Sequence, residues 1–404
     1  MEICRTDKCT GCYACINVCA HNCITMQEDD MGAIHPVVDE EKCVGCQLCV
    51  KTCPNNVDLQ FYYPLQCYAS WITDKEKRKI CASGGIGTSL AEYIISKGGV
   101  VFGSRYDENL HPIITYTESL EELEYFKGSR YVQSLIGNNT FKQVKCFLRT
   151  GRDVLFIGTP CQIAGLKTFL RKEYDNLITV DLICHGVCPT KYFNEEISFL
   201  SKKHKLKGIS DIRFRGNDGN DFRLTLWNKE KKRLFPKNNY FEKIFRCSDL
   251  EQYYISGFLL GVSLRENCYT CDYARPERIS DITIGDFIGL GKVIPFDYSK
   301  TNVSSVLINT EKGKEFYERV SNNIHGLKNI ERNYDERLEY EPSLKYPYPR
   351  HELNVEFCDI YKKYGYVNAI RKTLHDELYK KNMIYIYKLP FNLLKKIIRK
   401  IIKK

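Results

Sequence analysis

The chain has 404 residues, 43% hydrophobic and 27% charged with the signs mixed, and a formal net charge of +10. That length points to more than one domain, and no apolar run approaches the roughly 18–20 residues that cross a bilayer. Seven cations crowd into 388–404 with no acid among them, so the rest of the chain is nearly neutral, which argues against nucleic acid as its main ligand.

Cysteine spacing dominates the first sixty positions. Cys9, Cys12, Cys15 and Cys19 read C-x2-C-x2-C-x3-C, and Cys43, Cys46, Cys49 and Cys53 repeat the spacing before Pro54. Three thiolates from one tight loop and a fourth from the other run suit a pair of [4Fe–4S] cubes. The expected ligand sets are Cys9, Cys12, Cys15 and Cys53 for one cluster, and Cys43, Cys46, Cys49 and Cys19 for the other. Zinc prefers two separated C-x2-C pairs, and a disulfide framework needs an oxidising compartment. The pattern begins at Cys9 and leaves no room for a secretory apolar region, so a reducing cytoplasm is expected. Cys4 and Cys23 fall outside the spacing and read as small buried residues or spare thiols. Ile24–Met26, the turn Asp29-Asp30-Met31-Gly32 and Ala33–Val38 predict a hairpin between the runs.

After a linker at Tyr62–Leu65, strands alternate with helices. Ser83-Gly84-Gly85-Ile86-Gly87-Thr88 precedes an amphipathic stretch, Ser89–Ile95, and such a loop can offer backbone N–H groups to a phosphate or stand as a bare Gly-Gly turn. Val100–Gly103 reads as a strand. Val154–Ile157 reads as a buried strand closed by Gly158-Thr159-Pro160-Cys161, a helix follows over about 162–172, and Ile178–Ile183 leads into Cys184-His185-Gly186. In a right-handed βαβ unit, Cys161 and Cys184 both fall just past the carboxyl ends of parallel strands, where open α/β sheets bind ligands. Cys268-Tyr269-Thr270-Cys271 supplies two more thiols. Two are too few for a cluster, and Cys161 and Cys184 are natural partners, with Cys188 in reserve; a redox dithiol is the simpler alternative. Ile282–Gly285 predicts a strand ending in Asp286. Ile212–Phe214 and Phe222–Trp227 flank Gly216–Asn220 as a hairpin, and 311–385 reads as helical.

The segments SGGIGT (Ser83–Thr88), KGSRYVQS (Lys127–Ser134), GTPCQIAGL (Gly158–Leu166), DLICHGV (Asp181–Val187) and CYTCDYARPERISDITIGDF (Cys268–Phe287) resemble the coenzyme F-420 hydrogenase/dehydrogenase beta-subunit family over roughly 60–310. The resemblance implies FAD near Ser83, Gly84, Gly85, Gly87, Thr88, Lys127, Ser129, Arg130, Tyr131, Gly158 and Thr159. It also implies a further cluster near Cys161, Cys268 and Cys271, with Cys184 or Cys188 as fourth ligand. Lys127 and Arg130 suit a pyrophosphate as cationic donors. His185 is a candidate proton donor or a hydrogen-bond partner of a cluster sulfur.

The expected fold is an α+β ferredoxin-like dicluster domain (1–60), an α/β flavin- and Fe–S-binding domain (61–310) and a helical region (311–404). The expected function is an iron–sulfur flavoprotein oxidoreductase. Electrons would pass from two ferredoxin clusters through a third to FAD and on to a small organic substrate, or in reverse, with a ferredoxin-like protein as donor or acceptor. The alternative is an electron-transfer subunit of a larger hydrogenase or dehydrogenase with no substrate of its own. In the tail, Leu394, Ile397, Ile398, Ile401 and Ile402 recur at helical spacing among lysines and an arginine. A short basic amphipathic helix can lie on the inner face of an anionic membrane or pack on the protein's own body.

Overall fold

The computed structural model describes residues 1–215, 222–236, 251–299 and 302–402. The expected Gly216–Asn220 turn lies outside the described residues, as do Lys403, Lys404 and the side chains of 388–402.

In the N-terminal unit, the hairpin of β1 (Ile24–Glu28) and β2 (Ile34–Val38) pairs antiparallel with Ile24 opposite Val38. Asp29 closes its turn by accepting from the Met31 and Ala33 amides at 2.9 Å each. Two five-residue helices, α1 (Ala14–Val18) and α2 (Leu48–Thr52), follow left-handed residues, Tyr13 (φ 62) and Gln47 (φ 57). Gly11 (φ +63) and Gly45 (φ +68) stand two places before them, so the sequence repeat is also a repeat of backbone conformation in which glycine is favoured.

The body is built on a nine-stranded sheet. Its strands are β3 (Gln66–Ile72), β4 (Val100–Tyr106), β5 (Pro112–Thr117), β6 (Leu135–Ile136), β7 (Val154–Gly158), β8 (Leu177–Leu182), β12 (Ile282–Asp286), β13 (Ser304–Ile308) and β14 (Leu327–Arg332), in the order β14-β3-β13-β12-β8-β7-β4-β5-β6. A separate three-stranded sheet holds β9 (Ile209–Arg215), β10 (Phe222–Asn228) and β11 (Arg233–Phe235). Strands β12, β8, β7 and β4 are parallel, and β7 and β8 are neighbours as the βαβ reading requires. The run Val154-Leu155-Phe156 is fully buried, as expected for a central parallel strand covered on both faces.

Helices follow in chain order: α3 (Lys75–Lys79), α4 (Ile86–Ser96), α5 (Thr140–Arg149), α6 (Pro160–Leu170), α7 (Thr190–Lys203), α8 (Tyr253–Leu259), α9 (Glu311–Asn323), α10 (Tyr334–Glu339) and α11 (Asn354–Ile402), the last broken at Gly365. On one sheet face Leu90 and Ile94 of α4 pack with Phe316 and Val320 of α9. On the other, Phe141 and Val144 of α5 and Ile163 and Ala164 of α6 share one core with Ala14, Ile16 and Ile24 of the N-terminal unit. Asn17, 1% exposed, fixes the seam: its amide donates to the Tyr13 and Gly137 carbonyls, and its oxygen accepts from Phe141 N.

The structure corrects two expectations. The region after 310 is not purely helical: β14 pairs antiparallel with β3 and extends the main sheet. Its sequence, Leu-Lys-Asn-Ile-Glu-Arg, is that of a charged edge strand, which hides it among amphipathic helices. And α6 begins at Pro160, not near 162, so Cys161 lies in its first turn and not in a loop. Proline at the first helical position and the Thr159–Gln162 capping box account for the start.

Candidate functional site

The register brings the ends of β3, β4, β7, β8 and β12 to one edge of the sheet, so the loops carrying Ser83, Cys161, Cys184 and Asp286 share that edge. Two cysteine groups lie within the N-terminal unit and a third at this edge.

One cavity is lined by Cys9, Cys12, Cys15 and Cys53, together with Cys4; a second is lined by Cys43, Cys46, Cys49 and Cys19, together with Cys23. These are the two crossed sets expected from the spacing. Among the described residues no group of three or more His, Cys, Asp or Glu is arranged to hold a single metal ion. Thiols spread around a cavity suit a polynuclear cluster, whose corners lie apart. Burial pushes the Cys12 thiol up to about 12. Burial also opposes ionisation of Cys19, but the amides of Cys23, His21 and Asn22 and the Cys23 thiol outweigh it and hold Cys19 below its ordinary value. Amide donors gathered on one sulfur are a preformed seat for a thiolate.

Cys161, Cys184, Cys268 and Cys271 form the third group. Burial, and then Cys268, Cys161 and Cys271, push the Cys184 thiol well above its ordinary value. Burial, Cys268 and Cys161 push Cys271 up to about 12. Four thiols from three chain segments, Cys268 buried and the other three half-buried, thus lie near enough to oppose one another's ionisation, which positive charge such as a coordinated metal would relieve. Cys188 is fully buried in the core that also holds Cys268, with its sulfur 3.4 Å from Ser263 Oγ, whereas Cys184 is the residue that feels Cys268, Cys161 and Cys271 together. Thr159 Oγ1 lies 3.2 Å from Cys161 Sγ.

The N-terminal unit meets this group closely. An added Cβ on Gly165, one turn beyond Cys161 on α6, would lie 2.9 Å from both Cβ and Sγ of Cys12, so only glycine admits this approach. Arg265, 2% exposed, donates to the carbonyls of Cys9 (3.0 Å), Thr10 (3.1 Å) and Ile34 (3.3 Å). Arg278, equally buried, donates to Asp181 Oδ2 (2.9 Å) and to the Tyr273 carbonyl (3.2 Å), which rivets the loop after Cys271 onto β8. His35 hydrogen-bonds to Cys9, with its Nε2 2.9 Å from Asp29 Oδ2. Gly165 and Arg278 fall inside the family-like segments, but spacing does not reveal their roles, because Gly165, Arg265 and Arg278 each act on a partner far away in the chain.

The residues expected to hold a flavin divide. Tyr131, Arg215 and Asp286 meet in one network, and Ser83, whose hydroxyl donates to the Val303 carbonyl at 3.1 Å, lies beside it. Burial opposes ionisation of Asp286, but Arg215 and the Ser83 hydroxyl hold its carboxyl below the usual value. Arg215 also donates to Tyr131 Oη at 2.8 Å. The Ile86, Gly87 and Thr88 amides open α4 with no side-chain cap and, among the described residues, no other partner. Burial raises the Cys81 thiol while Thr88 and Lys127 pull the other way, which places both near it. Lys127 is paired with Glu124. Gly84 has a packing reason: an added Cβ would lie 2.3 Å from the Ser70 carbonyl oxygen. Thr159 caps α6, and Gly158 packs on Gln162. Ser129 hydrogen-bonds Tyr131. Arg130 departs from expectation: its guanidinium donates to the Tyr125 and Phe126 carbonyls and lies 4.8 Å over the Tyr106 ring. His185 is wedged between Phe258 and Tyr348 with Nε2 donating to the Phe258 carbonyl at 3.1 Å, and burial lowers its pKa. A neutral ring held this way is suited to orienting its neighbour Cys184.

Residues 151–332 match the family described as the C terminus of the coenzyme F420 hydrogenase/dehydrogenase beta subunit, and residues 8–57 match the 4Fe-4S dicluster domain. No curated protein matches the chain. Among solved structures, a chain in the xenon-derivatised F420-reducing [NiFe] hydrogenase complex from Methanosarcina barkeri is similar at 16% identity, covering 79% of this chain and 95% of that one, with a TM-score of 0.44. This chain therefore joins a segment that matches the 4Fe-4S dicluster domain to one that matches the C terminus of the coenzyme F420 hydrogenase/dehydrogenase beta subunit.

Proposed function

We propose that the chain is a cytoplasmic iron–sulfur flavoprotein oxidoreductase. Cys9, Cys12, Cys15 and Cys53 hold one [4Fe–4S] cluster, Cys43, Cys46, Cys49 and Cys19 a second, and Cys161, Cys184, Cys268 and Cys271 a third. The α4 amides with Lys127, and Ser83 with the Asp286–Arg215–Tyr131 network, are the residues available to FAD at the sheet edge. FAD there would let electrons that arrive singly leave as a pair to an organic partner. The observation that carries this reading is the placing of Cys161 and Cys184 after neighbouring parallel strands at the sheet edge, with Cys161 one turn from the glycine that lets Cys12 come close. Electrons then have a short path from the dicluster unit into the body.

Anaerobic reconstitution followed by iron and flavin assay tests it. The expected content is about twelve irons, four per Cys4 cubane, and one FAD per chain. Eight irons with flavin present would leave Cys268 and Cys271 as a dithiol. Twelve irons without flavin would favour the second reading, an electron-transfer subunit without its own substrate. One feature supports that second reading: Leu182 at the end of β8 and Ile288, Val293 and Ile294 after β12 are exposed apolar side chains suited to a docked protein.

A further inference from the structure

Each ferredoxin cavity is lined by five thiols, and a cubane takes four. The fifth thiols are not spread at random. Cys23, 4% exposed at the edge of β1, has its sulfur 3.4 Å from Cys19 Sγ and also reaches Cys43. Cys4 hydrogen-bonds to Cys53 and Cys9, and the Asn55 amide approaches its sulfur at 3.8 Å. In both cavities the extra thiol stands beside the ligand that comes from the opposite run, Cys19 in one and Cys53 in the other. That ligand is the one held by the crossover between runs, not by the tight three-cysteine loop.

We propose that Cys23 and Cys4 are reserve ligands, able to replace Cys19 and Cys53 respectively on the neighbouring iron. The proposal rests on the cluster assignment above. In the exchange the Fe–S bond to Cys19 breaks as the bond to Cys23 forms. The Cys23 proton passes to the released Cys19 sulfur, and the cluster keeps its oxidation state. The second cavity has the greater use for such a device, because its Cys46 is exposed, so that cluster meets solvent oxidants first.

The test compares iron content and the electron paramagnetic resonance spectrum of the reduced full-length protein, reconstituted anaerobically, among Cys19→Ala, Cys23→Ala, the double variant, and Cys46→Ala. Alanine is used because serine could ligate through oxygen. Cys19→Ala should keep wild-type iron with an altered cluster spectrum, whereas the double variant and Cys46→Ala, whose sulfur has no reserve beside it, should each lose about four irons, one cubane. Loss of those irons from Cys19→Ala alone would overturn the reserve role while leaving the ligand set intact. Full iron in the double variant would instead overturn the ligand set. Circular dichroism separates iron loss from unfolding. Should the double variant not fold, Cys53→Ala with and without Cys4→Ala decides the same question at the other cavity.

Discussion

Arg265 is the residue whose burial demands most explanation. Its guanidinium is 2% exposed, forms no ion pair among the described residues, and leaves Nε without a partner. A buried cation is costly unless negative charge lies near it. The groups that feel it include Cys9, Cys161 and Cys268, all proposed ligands of two adjacent clusters, beside Tyr13 and His35. On that assignment the counter-charge is the clusters' own, and it grows when they are reduced. Net charge and hydrogen bonding set cluster potential, so Arg265 should favour reduction. Arg265→Met is expected to lower the reduction potential of the cluster held by Cys9, and Arg265→Lys to restore part of the shift, as read by a potentiometric titration followed by electron paramagnetic resonance. Unchanged potentials would leave Arg265 as a clasp for the Cys9–Thr10 loop and nothing more.

At the scale of elements, the C-x2-C turn is useful only if its loop is held to β8, and Arg278 holds it. Its side chain pairs with Asp181, which is fully buried at the end of β8, and the same guanidinium bonds the Tyr273, Arg275 and Leu182 carbonyls. Removing one member of a buried pair leaves the other uncompensated, at about 3–5 kcal/mol. Arg278→Met is therefore expected to lose stability of that order in denaturant titration, and to lose about four irons, one cubane, before it loses its secondary structure. A variant as stable as the wild type would refute the rivet. The periodic elements here were readable beforehand. Val154–Ile157 and Ile178–Ile183 announced parallel strands, and their ends placed Cys161 and Cys184 at one edge. What could not be read was long-range: Arg278 to Asp181, Arg265 to Cys9, Gly165 under Cys12. A sequence shows periodicity and spacing, but not which distant carbonyl a buried arginine will find. Arg130 is another such case, since a cation in a plausible phosphate motif also donates to the Tyr125 and Phe126 carbonyls and lies over the Tyr106 ring.

The whole molecule divides where burial ends. The dicluster unit and the sheet share a continuous core, so they form one electron-transfer body rather than beads on a linker. Helix α11 joins this body through Ala369, Ile370, Leu374 and Leu378, all buried. Past that point the pattern changes: Tyr379, Met383, Ile384 and Tyr387 are exposed, the last at 88%, while the backbone stays helical to Ile402. No helix among the described residues is long and apolar enough to cross a membrane. Apolar residues left in solvent on a helix that continues into 388–404, with its seven cations and no acid, are the composition of a surface-lying amphipathic helix. Each cation near an anionic leaflet adds about 1 kcal/mol, falling with salt. Deleting 391–404 is expected to leave iron content and fold unchanged and to abolish co-sedimentation with vesicles rich in anionic lipid at low ionic strength. A full-length chain that never binds such vesicles would end the membrane proposal. A deletion that makes the protein insoluble would instead assign the segment to the core.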